Sequence, residues 1–166
     1  MRRLTLKALV CIVAAMAAVS CSSIDCPLNN RVCVKMRLAG DASVLNDTLT
    51  IASPRTVGED NDTVLINRLT ESDSLQVPMS YNRSQDIYFL TLVQKETSAE
   101  TTDTVWVDKT NLPHFESVDC APNMFHDITA VKTTHHSIDS IAVNNNKVTY
   151  NDAKAHLIIY FKSNRY

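Results

Sequence analysis

Beyond residue 30 the apolar positions of this chain recur with a period of two rather than 3.6. Short runs rich in Val, Ile, Thr and Tyr alternate with clusters of Asn, Asp, Ser and Pro, the grammar of strands and turns. The candidate strands are Arg31 to Leu38, Asp47 to Ala52, Thr63 to Arg68, Ser74 to Pro78, Ile87 to Gln94, Thr104 to Asp108, His114 to Asp119, Asp127 to Thr133, Ile138 to Val143 and His156 to Lys162. Short strands so spaced predict an all-β fold, an antiparallel β-sandwich of immunoglobulin-like or similar kind, with a calycin-like β-barrel as the alternative. With only Gly40 and Gly58 available, the turns are expected to rest on Asn and Asp, as in Asn144-Asn145-Asn146. Ile87 to Leu90 and Leu157 to Phe161 are apolar on both faces, which a two-layer sandwich does not require, so a loop or a partner is expected to cover them.

The N-terminus breaks the pattern. Arg2, Arg3 and Lys7 precede an unbroken apolar run from Ala8 to Val19, the order of a secretory signal. A run of about a dozen residues is shorter than the ~20 that span a bilayer as a helix. Ala18-Val19-Ser20-Cys21 resembles the bacterial lipobox, in which small residues precede a cysteine that is acylated and becomes the mature N-terminus. The rival is an ordinary Ala-x-Ala site near Ala17 or Ala18 that releases a soluble protein. The organisation read from this is a signal peptide over 1–20, lipidated Cys21 with a short tether over 21–30, and one β domain over 31–166.

Removing the signal takes three of the 16 basic residues and leaves 13 against 18 acidic ones, a formal charge of −5 that excludes nucleic acid as a partner. Of five cysteines, Cys26, Cys33 and Cys120 remain in an oxidising compartment. Asp25-Cys26-Pro27 and Asp119-Cys120-Ala121 sit in similar turn-like surroundings, whereas Cys33 lies inside a strand on the face of Lys35 and Arg37. A Cys26–Cys120 disulfide is therefore expected, contributing ~4.7 kcal/mol in the chain-entropy picture, with Cys33 unpaired. Cys26 is five steps along the chain from Cys21, so the domain would sit close to its membrane.

An Asp, then Ser or Thr, then an aliphatic residue recurs at Thr48, Thr63, Ser74, Thr104 and Ser140. Strand grammar accounts for it, Asp ending a turn and the aliphatic residue opening a strand. The triplet also resembles the O-glycosylation signal that gut Gram-negative bacteria rich in surface lipoproteins use on exported proteins, which makes those five hydroxyls candidate modification sites.

Catalytic and metal chemistry find little support. His135 and His136 are adjacent, and neighbours on a strand point to opposite faces. No Gly-x-Ser-x-Gly elbow and no calcium loop occurs in the sequence. Neither an enzyme nor a bound cofactor or metal is expected. Trp106, in Thr104-Val105-Trp106-Val107-Asp108, shares a face with Thr104 and Asp108 rather than with the valines. It is either a partly exposed ligand contact or a cap on the sandwich edge.

Four stretches, Cys21 to Asn30, Asp103 to Val107, His114 to Cys120 and His156 to Lys162, resemble an uncharacterised β-rich lipoprotein family of Bacteroides-type gut bacteria, a domain of unknown function. The resemblance implies no catalytic residues. It implies an outer-membrane lipoprotein, and Ser22-Ser23-Ile24 after the lipidated cysteine, in place of acidic residues, favours the periplasm-facing leaflet. The expectation is a non-enzymatic module, anchored by lipid and binding an envelope protein through a sheet face. The alternatives are a carbohydrate-binding accessory lipoprotein that uses Trp106 on a glycan, or a fimbria-like subunit.

Overall fold

A computed structural model describes residues 31–40, 43–55, 62–150 and 152–166. Among the described residues the strands are, in chain order, β1 (Cys33–Ala39), β2 (Thr48–Pro54), β3 (Asp62–Leu69), β4 (Ser74–Pro78), β5 (Gln85–Val93), β6 (Glu100–His114), β7 (Asn123–Thr133), β8 (Ile138–Val143), β9 (Lys147–Val148) and β10 (Leu157–Phe161). They form a four-stranded sheet in the order β4-β1-β10-β8 and a six-stranded sheet in the order β3-β2-β5-β6-β7-β9. The sheets pack as a β-sandwich and do not close into a barrel, so the calycin-like alternative falls.

Alternation places each strand. On β1, Val34, Met36 and Leu38 face inward and are buried, while Lys35 and Arg37 face out. They meet Leu157 and Ile159 of β10 and, from the opposite sheet, Leu49, Ile51, Leu90, Leu92, Val105 and Val107 in one core. Each such side chain contributes roughly 1.5–3 kcal/mol by leaving water.

The strands differ from the expected ones at two points. First, the pairing is not wholly antiparallel, because β1 and β10 run parallel from Met36↔Leu157 to Ala39↔Tyr160. Second, His114 to Asp119 is not a separate strand. β6 continues through Lys109 to His114 in register with β7, and the chain then turns where Ser117 accepts the Cys120 amide on its carbonyl and the Asp119 amide on its hydroxyl. The turn at Asn144-Asn145-Asn146 does rest on Asn side chains, Asn145 Oδ1 accepting the Lys147 amide at 3.3 Å and the Asn144 side-chain amide donating to the Ala155 carbonyl at 2.8 Å, whereas the left-handed backbone positions among the described residues are Gly40, Arg68, Glu71 and Ser98. The outward residues of the doubly apolar runs are only partly covered: on β10 Ile158 is half-buried and Tyr160 is 36% exposed. Ile87 and Phe89 are half-buried because β5 lies inside its sheet, with Trp106 and Thr104 beside them on β6 and Ala52 beside Phe89 on β2.

Candidate functional site

Trp106 points outward from the middle of the six-stranded sheet, half-buried, rather than capping an edge. Ile87 of β5 lies on one side of it and Lys132 of β7 on the other. In the next row Val64, Ala52, Phe89 and Thr104 line up across β3, β2, β5 and β6, and Val64 is 56% exposed. These two rows make an aromatic and aliphatic strip on an outer sheet face. Its margins are polar: Gln85 donates to Asp108 at 2.6 Å, and the Thr91 and Thr102 hydroxyls pair at 2.9 Å.

Behind that face lies a buried polar network that the sequence reading missed. Lys109 follows Asp103, Val105 and Val107 on the inward side of β6, and that position in the alternation was the available signal. Its ammonium donates to the Ser80 carbonyl and, at 2.9 Å, to Asn111 Oδ1, and lies 3.5 Å from Asp86 Oδ2. The Asn111 amide nitrogen donates to the Arg83 carbonyl, which leaves Oδ1 to accept from His126 Nδ1 at 2.8 Å. His126 Nε2 is then a buried acceptor without a partner. Burial, and then the Lys109 charge, push His126 down to about 4. Burial also lowers Lys109 and raises Asp86, in each case opposed by the other's charge. A register shift in β7, at Thr129 opposite Asp108 and Lys109, lets Val131 as well as Ile128 and His126 face inward.

Asp103, from the fourth triplet, is fully buried and accepts five hydrogen bonds. Thr134 Oγ1 and the His136 amide reach Oδ1 at 2.7 and 2.8 Å. The Ser137 amide, the Ser137 hydroxyl and the Ile138 amide reach Oδ2 at 2.7, 2.6 and 2.9 Å. Burial alone would raise its pKa, but these donors outweigh it and hold the carboxyl below its ordinary value. The result is a fixed turn between β7 and β8. On it the His136 and His135 rings find separate partners, the carbonyls of Thr102 and Ile138.

His156 and Asp152 form a second pair, with both ring nitrogens engaged. Asp152 Oδ2 accepts from His156 Nε2 at 2.9 Å, but Nδ1 is already occupied by the Lys35 amide at 2.8 Å. No ring nitrogen remains to activate a nucleophile.

The triplet hydroxyls all lie on strands. Ser74 and Ser140 are exposed, and each donates to the carboxylate before it, Asp73 at 2.8 Å and Asp139 at 3.1 Å. Thr48, Thr63 and Thr104 are half-buried. Cys33 is the free cysteine among the described residues, half-buried, with burial pushing its thiol up. Cys120, in the turn after β6, is not free. Cys21, Cys26 and the signal and tether segments lie outside the described residues.

No curated protein and no solved structure matches the chain. Residues 48–161, from the start of β2 to the end of β10, match the family of unknown function DUF6452. The span holds the whole six-stranded sheet with its Trp106 strip, the buried Lys109 network and the Asp103 turn, and the chain belongs to that family.

Proposed function

We propose that this protein is a non-enzymatic outer-membrane lipoprotein, acylated at Cys21 and facing the periplasm, whose sandwich binds another envelope protein through the outer face of its six-stranded sheet. The observation that carries the reading is the strip of Ile87, Phe89 and Trp106, apolar and aromatic in the interior of a sheet face where a freestanding sandwich uses polar residues. The anchor restricts the partner to proteins of the same envelope. A Cys26–Cys120 disulfide belongs to this reading, with the tether over 21–30 ahead of a domain over 31–166. The buried Lys109, Asp86 and His156 side chains bond to groups of the fold itself and serve as struts, which supports a binding module over an enzyme.

The test places a photocrosslinking residue at position 106 or 89 in intact cells, with position 76 on the opposite sheet as control. One membrane protein captured from 106 and 89 but not from 76 is the expected result. Recovery of the uncrosslinked chain alone from all three positions overturns the reading.

A second reading, a glycan ligand, is favoured by one observation: the hydrogen-bonded Gln85 and Asp108 lie beside Trp106, so an indole face and polar groups adjoin as a sugar ring needs. Glycan-array binding that survives Trp106→Ala removes it.

A further inference from the structure

β6 leaves its neighbour β5 at Asp108↔Gln85 but goes on pairing with β7 to His114↔Asn123. The residues from Lys109 to His114 therefore run roughly 20 Å past the end of β5, flanked across β7 by β9 at the level of Thr110 and Asn111, and form a two-stranded arm with β7 from Leu112 to His114. The arm is stiff. Lys109 and Asn111 tie its base to Ser80 and Arg83, and higher up His114 stacks on Phe125 at 4.2 Å with Tyr150 edge-on to both rings. Its tip is apolar and in water: Leu112 is 41% exposed, Phe115 64% and Val118 98%, and Tyr81, 42% exposed, reaches Asn123 beside them through its hydroxyl.

The chain enters the sandwich at this same end. The Val32 carbonyl, at the foot of β1, accepts the Met79 amide two residues before Tyr81. Arg31 follows Cys21 by ten residues, a reach of at most ~36 Å, and the turn at the tip holds Cys120, whose proposed partner Cys26 is five residues from Cys21, at most ~18 Å. Glu116 is drawn back onto His114 at 3.3 Å, which turns that carboxylate away from the outermost position.

We infer that the tip of the β6–β7 arm, through Phe115 and Val118, is a second and noncovalent membrane contact that rests in the interface of zwitterionic lipid and holds the sandwich end-on. The inference rests on the lipoprotein reading above. A lipid surface is the occupant because the tether ends at this end of the fold and the exposed apolar residues gather there. Glu116 and Asp119 argue against an anionic surface.

The experiment uses the full acylated chain in phosphatidylcholine vesicles with and without bromine on the lipid acyl chains. In a Trp106→Phe, Phe115→Trp double variant, the indole at 115 is expected to lose about half its fluorescence in brominated vesicles. Native Trp106, eight residues and so about 26 Å from the end of β6 at His114, is expected to lose none. Flotation with the vesicles but no quenching at 115, or equal quenching at both positions, overturns the inference and leaves the lipoprotein reading standing. Shielding of the 115 indole from aqueous iodide before vesicles are added also overturns it, because the tip is then covered by the tether or a second copy. A chain that carries no acyl mass and does not float overturns both.

Discussion

Lys35 of β1 and His156, just ahead of the neighbouring strand β10 in the same sheet, bond twice: the Lys35 amide donates to His156 Nδ1 at 2.8 Å, and the His156 amide donates to the Lys35 carbonyl at 2.8 Å. The imidazole thus stands in for a strand carbonyl just before the parallel β1–β10 ladder begins. His156→Phe keeps the volume and removes both ring contacts, leaving the Lys35 amide and the Asp152 carboxylate short of a partner. A loss of about 2–4 kcal/mol in urea unfolding is expected. A loss under about 0.5 kcal/mol would show that water replaces the ring.

His126 sets a pH dependence of its own. Its folded pKa is lowered to about 4 from 6.5, so the unfolded chain takes up the proton first. The stability that depends on this ring is complete above pH 6.5, declines as pH falls towards about 4, and declines no further below that. The loss is on the order of 3 kcal/mol. Urea titrations at pH 7, 5.5 and 4.5 read it directly, and His126→Gln should flatten the profile between those values. Parallel profiles for the two proteins would refute the assignment.

Asp103 acts in a different window. Its carboxyl is held below the ordinary value of 3.8, as is that of Asp152, so the stability both supply is present above that value and is lost as pH falls through the depressed one. Asp103→Asn puts an amide NH₂ against donors from Ser137 and Ile138. It should cost about 3 kcal/mol at pH 7 and narrow the acid-induced loss below pH 4. Unchanged acid unfolding in this variant would point to other carboxylates.

Much of the sandwich is legible in the sequence because a strand's inward face is written every second residue. Ser74 to Pro78 and Ile138 to Val143 agree with β4 and β8 residue for residue, and Trp106 lies on the face that its flanking valines exclude. What alternation does not encode is which strands meet. The parallel β1–β10 pair joins residues more than a hundred positions apart, and β9 is two residues long, too short to carry a period. The Lys109 network stayed hidden for a related reason. Its members come from β5, β6 and β7, and although Asp86, Lys109 and His126 each stand at an inward position beside apolar ones, only the pairing of the three strands brings them together.

Ser98 closes the turn between β5 and β6 with φ 61°, where its amide donates to the Gln94 carbonyl at 2.9 Å. A side chain in that left-handed conformation costs about 1 kcal/mol. Ser98→Gly should therefore raise stability by about 0.5–1 kcal/mol, seen as a higher thermal midpoint. A lower midpoint would mean that the glycine's added freedom in the unfolded chain outweighs the relief.

The parallel pairing of the first and last long strands of the four-stranded sheet also orders events in time. β1 finds its neighbour β10 only after some 120 residues of intervening chain have been made available, as the Lys35–His156 separation of 121 positions records. Contacts that distant form late and slowly. If the chain is exported as proposed, threaded N-terminus first, that sheet cannot be completed until its tail has come through, and the topology would defer its completion to the far side.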